Sequence, residues 1–465
     1  MIPVSSFADR SVAVVGLGRS GLATARALAM GGARVWAWDD NERARSTALD
    51  EGFDVFEPAP ERMAGTSAVV LSPGIPLTHP TPHPVVALAR EAGCPVIGDI
   101  ELLARSQPKA SYIGITGTNG KSTTTSLVGH ILSHSGRKVE TGGNLGAPAL
   151  GLAEFGAEGV YVLELSSYQL DLLDEATFDI AVLINISPDH LDRHGGMDGY
   201  VAAKRRIFRS GDSRLIAIVG VDDRRSAEIF ADLSDGNERR VIPISIKGAI
   251  AGGVYVVDGE LIDDQCGAAE PVLDLKGVAN LPGEHNWQNA AAGYAAARAA
   301  GIARDDIVAA IKTYPGLAHR QETVATVDGI TFVNDSKATN GEAAARALDC
   351  YENVYWIAGG LAKEGGLDPL EGHLSPIRHA FLIGEAREDF ANSLSGKCAV
   401  SVSGTLDVAV HAAFEAATMD GLSDAIVLLS PACASFDQFS DFEARGDAFK
   451  RLVSALPGSR REARS

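Results

Sequence analysis

The feature that most limits the folds open to this chain occurs twice: an apolar strand-like run ends in a glycine turn that opens a helix-like stretch. The first instance is Ser11-Val-Ala-Val-Val15, then Gly16-Leu-Gly18-Arg19-Ser20-Gly21, then a helix-like segment to Met30. The second is Tyr112-Ile-Gly-Ile-Thr116, then Gly117-Thr118-Asn119-Gly120-Lys121-Ser122-Thr123. Such a junction suits parallel strands joined by crossover helices, because parallel neighbours cannot be linked by a tight hairpin. Apolar runs at Arg34–Trp38, Ala68–Leu71, Pro95–Ile97, Val160–Glu164, Ile180–Ile184 and Leu215–Val219 continue the pattern, as do Ile330–Val333, Val354–Ile357, Ala380–Ile383 and Ala425–Leu429. At about 150 residues per domain, 465 residues give roughly three domains. The expectation is an α/β chain of three consecutive domains: Rossmann-like over 1–98, P-loop NTPase-like over 99–316 and Rossmann-like over 317–465. Asp258-Gly259 predicts a hairpin, Ala290–Ala300 a packing helix, and Pro315-Gly316 a boundary. Ser459–Ser465, rich in arginine, reads as a frayed tail.

Charge narrows the partners. Forty-one basic against 60 acidic residues leave −19 at pH 7, a poor match for nucleic acid or an anionic membrane. Any phosphate must be gripped locally, by backbone amides and a few cations. The five cysteines are scattered without a C-x-x-C pair, as expected of reduced thiols in a cytoplasm. The start lacks a signal-peptide pattern, and no apolar run reaches the roughly 18 residues of a membrane helix. A cytoplasmic protein with no membrane insertion is expected.

The first glycine turn suits a pyrophosphate at a helix N-terminus, with Gly16, Gly18, Arg19 and Ser20 around it. Asp39 and Asp40 end the next strand, where a ribose-binding acid would lie. Ser72-Pro73-Gly74-Ile75 could add a second backbone cradle. A nicotinamide enzyme, a flavoprotein, another nucleotide diphosphate and a ligand-free turn all fit. The second turn has the Gly-Lys-Ser core of a P-loop, although Ile115 stands where the strict pattern has its first Gly. Lys121 would reach terminal phosphates and Ser122 could ligate Mg²⁺. Glu164 and Asp189-His190 follow strands of the same domain, so they should face the same crevice. Lys204, taken by itself, reads as a solvated charge on a helix. Polar clusters at Glu284–Asn289, His319–Glu322, Asn334–Asn340 and Ser430–Phe439 interrupt apolar patterns where function tends to sit.

Taken in order, these motifs resemble the Mur ligase family from Gly16 to about Arg445. The carriers are Gly117–Thr123, Thr141-Gly-Gly-Asn144-Leu-Gly, Leu163-Glu-Leu-Ser166-Ser-Tyr-Gln-Leu, Asp189-His-Leu-Asp-Arg, His319-Arg320, Asn334-Asp-Ser-Lys-Ala-Thr-Asn and Leu429-Ser-Pro-Ala-Cys-Ala-Ser. The last two strings point to the D-glutamate-adding branch. The resemblance implies ATP-dependent formation of an amide between UDP-N-acetylmuramoyl-L-alanine and D-glutamate through an acyl phosphate, by a monomer. It implies two Mg²⁺ sites: Ser122 and Glu164 at one, His190 and Lys204, as N6-carboxylysine, at the other. Asn289 is implied to face adenine, Asp335 the ribose and Arg320 the γ-phosphate of ATP. Asn144 and Ser166 would meet the muramoyl substrate, while Lys337, Thr339, Lys363, Ser435 and Phe442 would meet D-glutamate. Asp39-Asp40-Asn41 departs from the family pattern, which has Arg after the acid, so the uridine contacts stay open.

Three other readings compete. A folylpolyglutamate-synthase-like ligase shares the variant P-loop and the modified lysine but has no glycine-rich domain ahead of it. A nicotinamide oxidoreductase would use Gly16, Gly18 and Gly21 alone. A non-catalytic nucleotide scaffold has no use for Lys121, Glu164, His190 and Lys204 together.

Overall fold

Three sheets follow one another along the chain in the computed structural model, which describes residues 1–209, 215–235, 239–278, 280–363 and 365–462. The first runs Asp54–Val55, Arg34–Trp38, Ser11–Val15, Thr66–Leu71, Val96–Ile97 and is parallel throughout. Ser11–Val15 is its centre because the chain winds first to one side and then to the other. The crevice therefore opens at its carboxyl end, at Gly16. Alternation along that strand divides two cores, Val12 and Val14 packing into one and Ala13 and Val15 into the other.

The second sheet runs Lys138–Gly143, Gly159–Glu164, Ser111–Thr116, Ile180–Leu183, Ile216–Gly220, Arg240–Ser245, Val254–Val257, Glu260–Asp263, Glu270–Asp274. Its last two strands are antiparallel. The predicted hairpin is there, with Asp258 and Gly259 both left-handed at φ 50° and 82°. Ser111–Thr116 lies between Gly159–Glu164 and Ile180–Leu183, a second switch point. The alanine-rich helix Glu284–Ala299 lies against the helix Lys121–His134. A Cβ on Gly293 would fall 2.8 Å from Leu127 Cδ2, so small residues set that close approach.

The third sheet runs Ala399–Gly404, Ile377–Ile383, Val354–Gly359, Ile426–Leu429, Ile330–Asn334, all parallel, followed by antiparallel Glu322–Val327 and Arg460–Glu462. Here the tail reading fails in part. Arg460–Glu462 pairs with Val327–Ala325, because a strand edge with unpaired amides is available to it; residues 463–465 lie outside the described residues. Met1–Gly277 with Glu284–Lys312 forms one compact unit and holds the first two sheets. Val278–Gly283 and the chain from Thr313 onward form another. Among the described residues no helix is long and apolar enough to cross a membrane.

The glycine turn of the first sheet separates structural from ligand-facing positions. A Cβ on Gly21 would lie 1.8 Å from the Gly16 carbonyl oxygen, whereas one on Gly18 would meet nothing within 4 Å. Gly21→Ala should therefore cost about 1–3 kcal/mol in urea unfolding, and Gly18→Ala should leave the midpoint where it was. Equal midpoints for the two variants would contradict this division.

Candidate active site

In the first sheet's turn, Gly16 is left-handed at φ 89°, and Ser72 Oγ donates to its carbonyl at 2.7 Å. The two expected cradles are thus tied to each other. Gly18, Arg19 and Gly74 are exposed, Ser20 and Pro73 half-buried, and a Cβ on Gly18 or Gly74 would meet open space. Asp39 accepts the Leu17 amide at 2.6 Å and the Asn41 amide at 2.8 Å, so its carboxylate shapes the loop itself. Arg19 donates to the Gly146 carbonyl at 2.6 Å.

The P-loop is held from beneath by a relay the sequence did not disclose. Asn185 accepts the Thr118 amide on its carbonyl and the Asn119 amide on Oδ1, each at 2.9 Å. Its Nδ2 donates to Gln288 Oε1 at 2.9 Å, and Gln288 Nε2 donates to Asp222 Oδ2 at 3.0 Å. Thr118 Oγ1 also bridges Tyr200 and the Ser187 carbonyl. The amides of Thr118 and Asn119 are thus occupied by Asn185. Gly120 is left-handed at φ 83°, and a Cβ there would fall 2.0 Å from Asn289 Oδ1. Asn289 donates to Asn286 Oδ1 at 3.0 Å. The helix Glu284–Ala299 starts ahead of the Ala290–Ala300 packing stretch, whose alanines are buried, and so also brings Asn289 to the loop. Ser122 is buried and Thr123 half-buried on the helix that follows.

Lys121 Nζ donates to the Gly117 and Thr118 carbonyls, both at 2.9 Å. Lys204 Nζ donates to the same Gly117 carbonyl at 2.8 Å, with Thr116 Oγ1 at 3.4 Å and the Tyr200 ring centroid at 4.6 Å. The reading of Lys204 as a solvated helix charge is wrong: it is 1% exposed. Burial, reinforced by the Lys121 charge, holds its ammonium well below the usual lysine range. Glu164 pairs in register with Ile115 of the P-loop strand and is 2% exposed. Its Oε1 accepts Asn144 Nδ2 at 2.6 Å, while Oε2 is buried without a hydrogen-bond partner. Ser166 caps the short helix Ser167–Asp171 just beyond. His190 is exposed and left-handed at φ 51°, with Nε2 3.4 Å from Asp189 and its ring 5.3 Å from Tyr168. Among the described residues no group of three or more His, Cys, Asp or Glu side chains gathers to hold a metal. Glu164 and His190 thus do not form a conventional cluster. An orphaned buried carboxylate oxygen and a buried amine that sheds its proton readily do suit a hard cation once the amine is converted to an oxygen ligand.

In the second unit, the loops after strands Ile330–Asn334, Val354–Gly359 and Ile426–Leu429 share one edge. Asp335 is buried and accepts Ser430 Oγ at 2.8 Å and the Gln321 amide at 3.2 Å; burial pushes its carboxyl up to about 7. His319 and Gln321 flank Arg320 at φ 63° and 44°, and the Lys337 amide donates to the His319 carbonyl. Lys337 Nζ sits 3.8 Å over the Phe442 ring, and Ser336 Oγ donates to the Phe442 carbonyl. Ser435 is buried, Thr339 half-buried and Lys363 exposed. A residue missed in the sequence, Arg445, ties Ser336 to Cys433 from below. Nothing in Phe442-Glu-Ala-Arg445 marks it as buried.

Known proteins fall into line with this geometry. A family model for the Mur ligase middle domain matches residues 115–297, and one for the Mur ligase MurD-like N-terminal domain matches 10–98. UDP-N-acetylmuramoylalanine–D-glutamate ligase of Rhodospirillum rubrum is 52% identical over 470 residues, covering 100% of this chain and 98% of its own. The enzyme of that name from Caulobacter vibrioides is 52% identical over 98% of each chain. Among solved structures, UDP-N-acetylmuramate-alanine ligase MurC from Thermotoga maritima has the same fold, with a TM-score of 0.57 at 16% identity over 96% of this chain and 100% of that one. With relatives at this identity from end to end, the chain belongs to the Mur ligase family, on the branch of the UDP-N-acetylmuramoylalanine–D-glutamate ligases.

Proposed function

We propose that the chain is the ATP-dependent ligase that joins D-glutamate to UDP-N-acetylmuramoyl-L-alanine (EC 6.3.2.9) in the cytoplasmic stage of peptidoglycan synthesis, acting as a monomer. The end-to-end likeness to ligases of that name carries the reading. The P-loop with two lysines on one carbonyl supports it chemically. The division into domains 1–98, 99–316 and 317–465 is part of this reading.

A carboxylate is a poor electrophile, so the alanyl carboxylate oxygen attacks the γ-phosphorus of ATP, ADP leaves, and an acyl phosphate results. The uncharged amine of D-glutamate then attacks the acyl carbon. A tetrahedral intermediate collapses, phosphate departs with the C–O bond electrons, and the amide loses its extra proton. Anionic groups must be gathered and neutralised, so positioning and charge supply most of the acceleration. Lys121 leaves its loop carbonyls for the β- and γ-phosphates, and the phosphate cradle begins after Asn119. Arg320 serves the γ-phosphate, Asn289 adenine, and Asp335 the ribose hydroxyls. Gly16, Gly18, Arg19, Ser20, Asp39 and Ser72–Gly74 form the UDP side, with Asn144 and Ser166 toward the muramoyl group. Lys337, Thr339, Lys363, Ser435 and Phe442 receive D-glutamate. Ser122, Glu164, His190 and Lys204 as a carbamate are the oxygen and nitrogen donors suited to two Mg²⁺, which when bound offset phosphate charge. The Lys204 carbamate forms when its neutral Nζ attacks CO₂ and the resulting acid releases a proton.

The deciding assay is phosphate release from ATP with UDP-N-acetylmuramoyl-L-alanine and, in separate reactions, D-glutamate, L-glutamate, lysine or diaminopimelate. Release should depend on D-glutamate alone; equal release with another amino acid, or none with D-glutamate, would sink the assignment. In the same assay Lys121→Ala should lower turnover by about 10³-fold with the fold intact. A folded variant near parental rate would remove Lys121 from the phosphates.

Lys204 gives a second, sharper test. Lys204→Ala should be nearly inactive and partly restored by acetate or formate, which can occupy the vacated carboxylate position. Lys204→Arg should stay inactive with either acid, since guanidinium keeps its charge and does not react with CO₂. Mass spectrometry of the intact parent under bicarbonate should add one carboxylate to Lys204. An active alanine variant would return this residue to a purely structural role.

A further inference from the structure

His194 closes the short helix Leu191–His194, and its side chain is only 2% exposed. No step of the proposed reaction involves it. Nδ1 lies 3.2 Å from Asp171 Oδ2, and Nε2 lies 2.9 Å from Ser167 Oγ. A carboxylate only accepts, so Nδ1 carries the proton, and in the neutral ring Nε2 accepts the Ser167 hydroxyl. The order Asp171, His194, Ser167 is that of a hydrolase triad. Ser167 is buried, however, so its hydroxyl is closed to a substrate. The two bonds instead fix the plane of the imidazole.

That ring touches two tyrosines. It stacks on Tyr168 with centroids 5.4 Å and planes 14° apart, and it meets Tyr200 at 5.4 Å and 54°. Each tyrosine leads to one of the proposed cation donors. The Tyr168 ring is 5.3 Å from that of His190. The Tyr200 ring centroid is 4.6 Å from Lys204 Nζ, and its hydroxyl is 3.1 Å from Thr118 Oγ1 of the P-loop. A continuous row of rings, Tyr168, His194 and Tyr200, therefore connects His190 to Lys204. The backbone closes the same gap. Gly195 and Gly196, left-handed at φ 68° and 117°, turn the chain into the helix Met197–Arg205. A Cβ on Gly199 would lie 1.9 Å from the His194 carbonyl oxygen, so the helix that carries Lys204 is pressed against the end of the one that opens at His190.

We propose that His194 is a positioning residue whose ring holds His190 and Lys204 in the relative placement at which both serve one cation. The inference rests on the proposed function for the cation-holding role of those two residues. Asp171 and Ser167 orient the ring, and its contacts with the two tyrosines transmit the placement. Without the ring, Tyr168 and Tyr200 are free to turn, and His190 and Lys204 lose their common reference. A phenyl ring keeps the aromatic contacts although it gives up both hydrogen bonds.

The test compares His194→Ala and His194→Phe with the parent. The His190 Cε1–H resonance is read by NMR in histidine-labelled protein, without metal or nucleotide, and is assigned with His190→Gln. The Tyr168 ring shifts it in the parent; the shift should disappear in His194→Ala and persist in His194→Phe. Under bicarbonate, the carboxylate that mass spectrometry finds on Lys204 should be lost from the Ala variant and kept in the Phe variant. In the phosphate-release assay kcat should fall about 10- to 100-fold in His194→Ala, with KM for each of the three substrates changed less than about threefold. His194→Phe should stay within about fivefold of the parent. An unmoved His190 resonance, an undiminished Lys204 carboxylate or a parental kcat in folded His194→Ala would overturn the proposal. So would a Phe variant as impaired as the Ala variant, or a uniform rise in all three KM values, the mark of general loosening. If His194→Ala does not melt cooperatively, the Phe variant decides: folded protein that has lost the His190 shift also overturns it. Should the parent show no D-glutamate-dependent phosphate release, the functional reading falls on its own, and the His190 resonance still decides the role of His194.

Discussion

Two amines donate to a single carbonyl oxygen, that of Gly117, at 2.9 and 2.8 Å. Both cannot comfortably carry a full positive charge there, and solvent decides which yields. Lys121 is half-buried and keeps water within reach, whereas Lys204 is enclosed and has its proton weakened by burial and by its neighbour. The P-loop thereby has one half-buried amine within reach of solvent and, beneath it, one enclosed amine whose charged form is disfavoured. Much of the surrounding architecture serves this pairing. Tyr200 links the lysine's helix to Thr118, and Asn185 fixes the amides of Thr118 and Asn119 so that the shared carbonyl cannot rotate away.

The second unit meets a different electrostatic task with similar means. Asp335 and Arg445 are both buried, and burial moves both toward their neutral forms. They differ in what surrounds them. Asp335 receives an O–H and an N–H, while the guanidinium donates its hydrogen bonds to uncharged oxygens. A carboxyl near its titration point can accommodate hydroxyl groups in either form. A guanidinium cannot adjust in that way, and the charges of Asp437 and Asp335 offset part of the cost of burying it.

The sequence revealed the parts that depend on local chemistry. Gly16 and Gly120 take left-handed φ values, and strand runs such as Ser11–Val15 fall where their apolar content placed them. Glu164 was legible because it ends a strand beside the P-loop strand. Lys204 was not: on Met197–Arg205 its neighbours Arg205 and Arg206 suggested a wet face, and only the packing of that helix decides otherwise. Asn185, Gln288 and Asp222 are ordinary polar residues far apart in sequence, so their relay exists only after folding. Glu322–Val327, with its half-polar pattern, was also missed, since pairing with Ile330–Asn334 defines it more than composition does.

The pairing of Arg460–Glu462 with Glu322–Val327 has a practical side. Strand Glu322–Val327 leaves the His319–Gln321 turn and would otherwise end the sheet with a row of open amides and carbonyls, a template for a second chain. Arg460–Glu462 acts as a selvedge that keeps this border from fraying or catching. A ribosome-bound molecule must leave that border bare until Arg460–Glu462 has emerged to cover it. Protein cut short or fused just before Arg460 would carry the same bare edge permanently, next to the turn that bears Arg320.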